Sequence, residues 1–252
     1  MNTPAVGTDW DALLQARAAA PRRPLVMHQR WEKLLFLHWT LNAEELQPTL
    51  PAGLTVDTCQ GEAFIGVSPF FMRNVRPPRL PALPWFSNFQ ELNVRTYVKD
   101  RFGVPGIWFY SLDCNQPFAV IGARLWLGLP YYCAEMSTSQ SGGIDYRSRR
   151  KGTSEAARYL YRVIGPARET QSGTLEFFLL ERYFLYTRRS ESGPLLRVQV
   201  KHVPYTFCEV HLEKWSSAPL RQDRLIAAET APVHQCFVDG FDVRVHGVEK
   251  VM

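Results

Sequence analysis

The stretch Glu91–Asp113, ELNVRTYVKDRFGVPGIWFYSLD, decides between a helical and a β reading of the chain. Two runs rich in β-branched and aromatic residues, ELNVRTYV and GIWFYSLD, flank a polar segment whose DRFG supplies a turn, the signature of an antiparallel hairpin. Side chains alternate between the faces of a strand, so Glu91, Asn93, Arg95 and Tyr97 share one face and Leu92, Val94, Thr96 and Val98 share the other. The first set is too polar for an ordinary core. By pattern alone it faces water. In a closed barrel it would line a cavity, with the apolar set packed outside against helices.

The β style extends in both directions. Upstream, Leu34–Trp39 (LLFLHW) has strand length, and Asn42 with Glu45 has capping-box spacing for a short helix over Ala43–Leu50 that PAGL stops. LTVDT and EAFIGVSPFFMRNV then form a hairpin across CQG. RPPRLPALP, Arg76–Pro84, holds too many prolines for a central strand and reads as a loop able to cover a cavity mouth. Downstream, Asn115 and Pro117 open a helix over Phe118–Leu127 that ends at Gly128 and Pro130, its apolar content predicting burial. YYCAEMST, IDYRSRR, ARYLYRVI, PLLRVQVKH, CEVHLEKW and QCFVDGFDVRVHGVEKV follow as strands, and a second helix runs from Thr174 through LEFFLLER. With no linker or internal period, residues 30–252 read as one domain behind an N-terminal helical arm, 1–29, capped by Thr8 or Asp9. The class is α+β, mainly antiparallel β, and many short strands point to closure into a barrel.

Composition narrows the function. With 46% hydrophobic and 21% charged residues the chain can fill a core, and its longest apolar candidate, Phe118–Leu129, is broken by Arg124, so no membrane span is expected. The net charge of +5 comes from 29 basic and 24 acidic residues spread along the chain and demands neither nucleic acid nor membrane. Arg147, Arg149, Arg150 and Lys151 alternate like the solvated tip of a hairpin. Five cysteines without a CxxC pair, and no signal peptide, predict reduced thiols and a cytoplasmic protein. Histidines in no HxH or HExxH spacing, and the absence of GxSxG, GxGxxG and GxxxxGK[ST], imply no metal, no serine-hydrolase elbow and no nucleotide cofactor.

RWEKLLFLHW, LPAGLTVDT, GEAFIGVSPFFMRNVRPP, ELNVRTYV, GIWFYSLD, AVIGARLWLGLPYY, LEFFLLERYFLY and KHVP(Y) resemble the successive blocks of the YqjF-like family, a domain of unknown function, from about Arg30 onward. That family is similar in turn to the acetoacetate decarboxylase-like superfamily, which implies a closed, cone-shaped β-barrel around a central pocket. Arg124–Tyr131, RLWLGLPY, is similar to the decarboxylase block in which a proline precedes the Schiff-base lysine. Here Tyr131 follows Pro130. A tyrosine forms no imine, so the resemblance implies a pocket without amine chemistry. Lys201, beside His202, is the best placed substitute, yet strand alternation sets those two side chains on opposite faces.

The resemblance turns the Glu91 face toward a pocket. Arg95 and Arg124 are then candidates to hold an anion, with Asn93, Glu181 and Arg182 as further ligand-binding residues and Glu91 orienting an arginine. Arg124, within an apolar helix, reads either as a structural ion pair with Glu91 or Glu181 or as a free cation for a carboxylate. Tyr131, Glu91 and His202 are the candidate proton donors or acceptors. The leading function is binding of a small organic acid or other polar metabolite without Schiff-base chemistry. The alternatives are a lyase, hydratase or decarboxylase, and a structural or assembly module with a filled barrel. An oligomer is compatible with the sequence.

Overall fold

The run LLFLHW lies in the second half of a 17-residue strand, β1 (Leu25–Leu41), in a computed structural model that describes residues 7–226 and 229–251. The elements before and after it are α1 (Trp10–Ala18), α2 (Ala43–Leu46), β2 (Leu54–Val56), β3 (Thr58–Cys59), β4 (Glu62–Arg76), β5 (Phe89–Asp100) and β6 (Pro105–Cys114). Next come α3 (Pro117–Leu127), β7 (Tyr131–Gln140), β8 (Ile144–Arg150), β9 (Ala157–Glu169), α4 (Leu175–Leu180) and β10 (Phe184–Thr187). β11 (Leu196–Lys201), β12 (Thr206–Lys214), α5 (Ala218–Gln222), β13 (His234–His246) and β14 (Glu249–Lys250) complete the order. β1 begins inside the 1–29 arm, and α1 lies against the barrel with Leu13 buried, while Lys201 Nζ donates to the carbonyls of Arg17 and Ala19 at its C-terminal end, where a cation suits the helix dipole. No helix among the described residues is long and apolar enough to cross a membrane.

The sheet is mostly antiparallel and closes into rings. One ring runs β6-β7-β8-β9-β12-β13-β1-β4-β5 and back to β6; the other leaves β6 through β10 and β11 and rejoins at β13. The pairings of β6 with β7 and with β10 are parallel. Because β13, β1, β4, β5 and β6 belong to both rings, their two faces are both interior. Leu34, Phe36, Phe70 and Met72 enter one core, and Leu35, Leu37, Val67 and Phe71 the other.

The architecture corrects three expectations, two of them through this double closure. Leu92 and Val94 do not lie outside against a layer of helices. They pack in the second core against Tyr146, Tyr159 and Tyr161 of β8 and β9, where the short α5 contributes Ala218 and Leu220. Arg150 is not solvated either. Its guanidinium, 8% exposed, donates to Asp113 Oδ1 at 2.7 Å, Asp223 Oδ1 at 2.8 Å and Ser111 Oγ at 2.6 Å, tying β8 to β6 and to the end of α5. Third, α3 is only half buried. Val120 and Leu127 face inward, but Phe118, Ile121, Leu125 and Trp126 are exposed, so an apolar sequence all round the helix did not mean burial all round. Gly128, at φ 69°, ends α3 in the left-handed conformation, and a Cβ there would stand 2.9 Å from Arg189 Cγ.

α4 closes one end of the ring that contains β10 and β11. Its cap Thr174 accepts from Phe177 N at 3.2 Å, and Phe177, Phe178, Leu179 and Leu180 are all buried. The proline-rich loop does not cover the cavity described below. It folds over α3, with Phe86 against Phe118 at 5.2 Å between ring centres.

Candidate functional site

Between α4 and the end of α3, the ring encloses a cavity with about 70 Å³ of room for the centres of water-sized spheres. One water needs roughly 10–15 Å³ by that measure, so the space suits a few waters or a small acid. Apolar residues from every wall, among them Leu34, Phe70, Phe109, Leu129, Leu185 and Val245, make most of the lining. The polar lining is Ser68 of β4, Glu91, Asn93 and Arg95 of β5, Tyr131 at the start of β7, Arg182 after α4, Tyr205 before β12 and Gln29 of β1. Alternation on β5 therefore brings Glu91, Asn93 and Arg95 to one wall. No lysine lines the cavity among the described residues.

Glu91 is 2% exposed and accepts from the Tyr131 hydroxyl at 2.8 Å through Oε2. Burial pushes its carboxyl up to about 8, only partly opposed by that hydrogen bond, so the carboxyl is largely protonated at neutral pH. Burial and the adjacent Glu91 push Tyr131 well above the ordinary phenol range. Glu91 does not orient an arginine. Four residues of strand, roughly 13 Å, separate it from Arg95 along β5, and Tyr131 occupies its near oxygen.

The cations sit toward the α4 end. Arg95, 7% exposed, stacks over Phe36 at 4.8 Å and, among the described residues, has no carboxylate within salt-bridge distance and no partner for its buried Nε. Arg182, 4% exposed, donates from Nε to Phe178 O and from NH1 to Asp57 Oδ2 at 2.6 Å, which leaves its NH2 without a partner. Asp57 also takes Lys99 at 3.0 Å. Ser68 Oγ and Asn93 Oδ1 are likewise buried and unpartnered. Four orphaned polar atoms on one small cavity form a cluster that buried groups do not normally leave unsatisfied.

Other residues expected at the site lie elsewhere. Arg124 is exposed on α3, where its Nε donates to Tyr131 O at 2.6 Å and its charge lies over the Tyr132 ring, so it is neither of the buried cations read from the sequence. Its long side chain reaches the next turn and keeps its charge in water, so it needs no buried carboxylate. Glu181 is fully buried but saturated by Thr170 Oγ1, the Tyr205 amide and the Tyr183 hydroxyl, and it fixes the loop before β12. His202 stacks on Tyr183 at 4.4 Å, donates from Nδ1 to Val203 O, and lines an outer groove with Lys201 and Arg244; burial lowers its pKa. Ser68, Tyr205 and the Asp57 partner of Arg182 escaped the sequence reading. Ser68 alone had a signal there, since it shares a face of β4 with Phe70 and Met72.

Residues 28–242 match the family DUF2071, described as an uncharacterized conserved protein. Uncharacterized protein YqjF of Bacillus subtilis (strain 168) is 41% identical over 175 residues, 69% of this chain and 72% of that one. Among solved structures, an acetoacetate decarboxylase-like enzyme from Sphingomonas wittichii RW1 aligns with a TM-score of 0.64 at 16% identity, covering 90% of this chain and 94% of that chain. The enduracididine biosynthesis enzyme MppR, complexed with pyruvate, aligns at 0.63 and 13% identity over 93% of each chain. Acetoacetate decarboxylase from Legionella pneumophila subsp. pneumophila str. Philadelphia 1 aligns at 0.59 and 12% identity, over 100% of this chain and 98% of that one. At such identities the likeness is one of fold, and the fold is acetoacetate decarboxylase-like.

Proposed function

The chain belongs to the DUF2071 family, and from that premise we propose that its cavity binds a small organic acid, with the carboxylate between Arg95 and Arg182 and the Glu91–Tyr131 pair placed for proton transfer. The observation that carries this reading is the uncompensated guanidinium of Arg95. Glu91, largely uncharged at neutral pH, cannot neutralise it, and Asp57 is already shared by Arg182 and Lys99. A buried charge without a partner is costly, and a ligand carboxylate supplies the missing charge together with acceptors for Arg95 Nε and the free Arg182 nitrogen. Ser68 and Asn93 would hold a second polar group of the acid. MppR, of like fold, is described in complex with pyruvate, which fits the same ligand class.

The chemistry available is acid–base rather than amine chemistry. Tyr131 donates to Oε2 of Glu91, which leaves Oε1 to carry the Glu91 proton. A group that holds its proton up to about pH 8 can give it to a developing carbanion or leaving oxygen and take it back, the step shared by lyases and hydratases. A filled, ligand-free barrel is disfavoured by the orphaned polar atoms.

In a thermal-shift panel of small carboxylic acids, wild type is expected to gain several degrees at saturating acid, and Arg95→Met to stay folded but lose the response. Equal shifts in both proteins would remove the anion site. Proton transfer is read separately, at about pH 8 and above where the ionised Glu91 carboxylate can accept a C–H proton, as exchange of the bound acid's C–H protons into deuterated water. Glu91→Gln should stop the exchange while keeping the thermal response.

A further inference from the structure

We propose that His234, His38 and Tyr97 form a tautomer relay that couples protonation of the partly buried His234 to anion binding at Arg95; the proposal rests on the anion-binding reading given above. Across the sheet, His234 of β13 pairs with His38 of β1, His38 with Gly66 of β4, and Gly66 with Arg95 of β5. Gly66 has no side chain, so the His38 ring lies over it and reaches the next strand. A Cβ on Gly66 would stand 3.1 Å from His38 Cδ2. The ring bridges two neighbours, with Nδ1 2.9 Å from His234 Nδ1 and Nε2 2.7 Å from the Tyr97 hydroxyl oxygen. His38 and Tyr97 are fully buried, whereas His234 is partly open to solvent.

Each of the two hydrogen bonds holds one proton, so the chain has two self-consistent neutral arrangements. In the first, Tyr97 donates to His38 Nε2 and His38 Nδ1 donates to His234. In the second, His234 donates to His38, His38 Nε2 donates to the Tyr97 oxygen, and the Tyr97 hydrogen must point elsewhere. The groups facing Tyr97 choose between them. Arg182 lies over its ring at 5.0 Å, and Arg95 and Arg182 both act on its hydroxyl as cations, so without an anion the hydrogen turns to His38. Without a bound anion, His38 is thereby held as its Nδ1–H form.

A proton taken up by His234 reverses the chain. Both nitrogens of His234 then donate, so His38 must accept at Nδ1, its proton sits on Nε2, and the Tyr97 hydroxyl is released toward the guanidiniums, where a carboxylate is the acceptor that fits. The bound anion in turn favours the proton on His234. Other titratable neighbours are Glu176 of α4, which favours His234 protonation, and Cys236 of β13, which faces Tyr97 and Arg95. Burial, His234 and Arg95 hold His38 well below the ordinary histidine range, so uptake begins at His234, itself lowered by burial from 6.5. The coupling therefore operates below pH 6.5, apart from the titration of Glu91 near 8.

Nitrogen-15 spectra of the full chain read the tautomers directly. His38 should be protonated on Nδ1 at pH 8 and move to Nε2 as His234 titrates, and it should stay on Nδ1 in His234→Leu. Trifluoroacetate, ionised throughout, serves as the anion and is followed by fluorine NMR. Wild type should bind it about fivefold or more tightly at pH 5 than at pH 7. His234→Leu should keep the pH 7 affinity and lose the tightening, and in Tyr97→Phe the tightening should vanish while His234 still titrates. Tightening that persists in both variants, or a His38 tautomer that ignores His234, overturns the relay alone. Absence of any trifluoroacetate binding that Arg95→Met removes overturns the anion site and the coupling with it.

Discussion

Glu91→Gln is expected to make the protein more stable at neutral pH, by about 3 kcal/mol at pH 7, and to flatten its stability between pH 5 and 8. The sign follows from the direction of the shift. The carboxyl rises from an ordinary 4.5 to about 8 in the fold, so between those values the folded state holds a proton that the unfolded state has released. Stability from this group is fully present below pH 4.5 and falls by about 1.4 kcal/mol per pH unit until the folded carboxyl ionises near 8. Glutamine keeps an oxygen to accept from Tyr131 and has no charge to desolvate. Urea unfolding at several pH values measures both effects. A variant less stable than wild type at pH 7, or one with the same pH slope, would show that Glu91 is ionised and compensated. A carboxyl kept at that cost in stability, on a cavity, is the pattern expected of a group retained for proton transfer.

The cavity wall was most legible where one strand sufficed. Alternation in ELNVRTYV groups Glu91, Asn93 and Arg95, and the cavity receives all three. The other face of β5 was misread because one strand's pattern cannot reveal that its apolar side meets a second ring. Leu92 and Val94 look alike whether they meet a helix or Tyr159. Arg124 and Arg150 were misplaced in opposite directions for one reason, since burial of an arginine depends on partners far along the chain. Arg150 finds Asp113 and Asp223, whereas Arg124 finds a carbonyl seven residues away and the face of the Tyr132 ring. His38 and His234 lie 196 positions apart, and no spacing motif reaches across that distance. The double ring that pairs them is a property of the whole topology.

Asp57→Ala is expected to lower the unfolding free energy by about 3–5 kcal/mol, with a loss that small carboxylic acids partly restore. Asp57 is 1% exposed and joins Lys99 at 3.0 Å to Arg182 at 2.6 Å, so its removal leaves two cations facing each other, one of them on the cavity. An acid bound between Arg95 and Arg182 would return part of the missing charge, so the thermal shift produced by a saturating acid should be larger in the variant than in wild type. Arg150→Met supplies the contrast. It leaves Asp113 and Asp223 buried without their cation and should cost a similar amount, but that network stands away from the cavity wall, and acid should shift it no more than wild type. The two variants separate loss of a buried ion pair from loss of charge balance at a binding site. Identical acid shifts in Asp57→Ala and wild type would mean that Arg182 does not share the ligand with Arg95, and the carboxylate would then be held by Arg95 with Ser68 and Asn93.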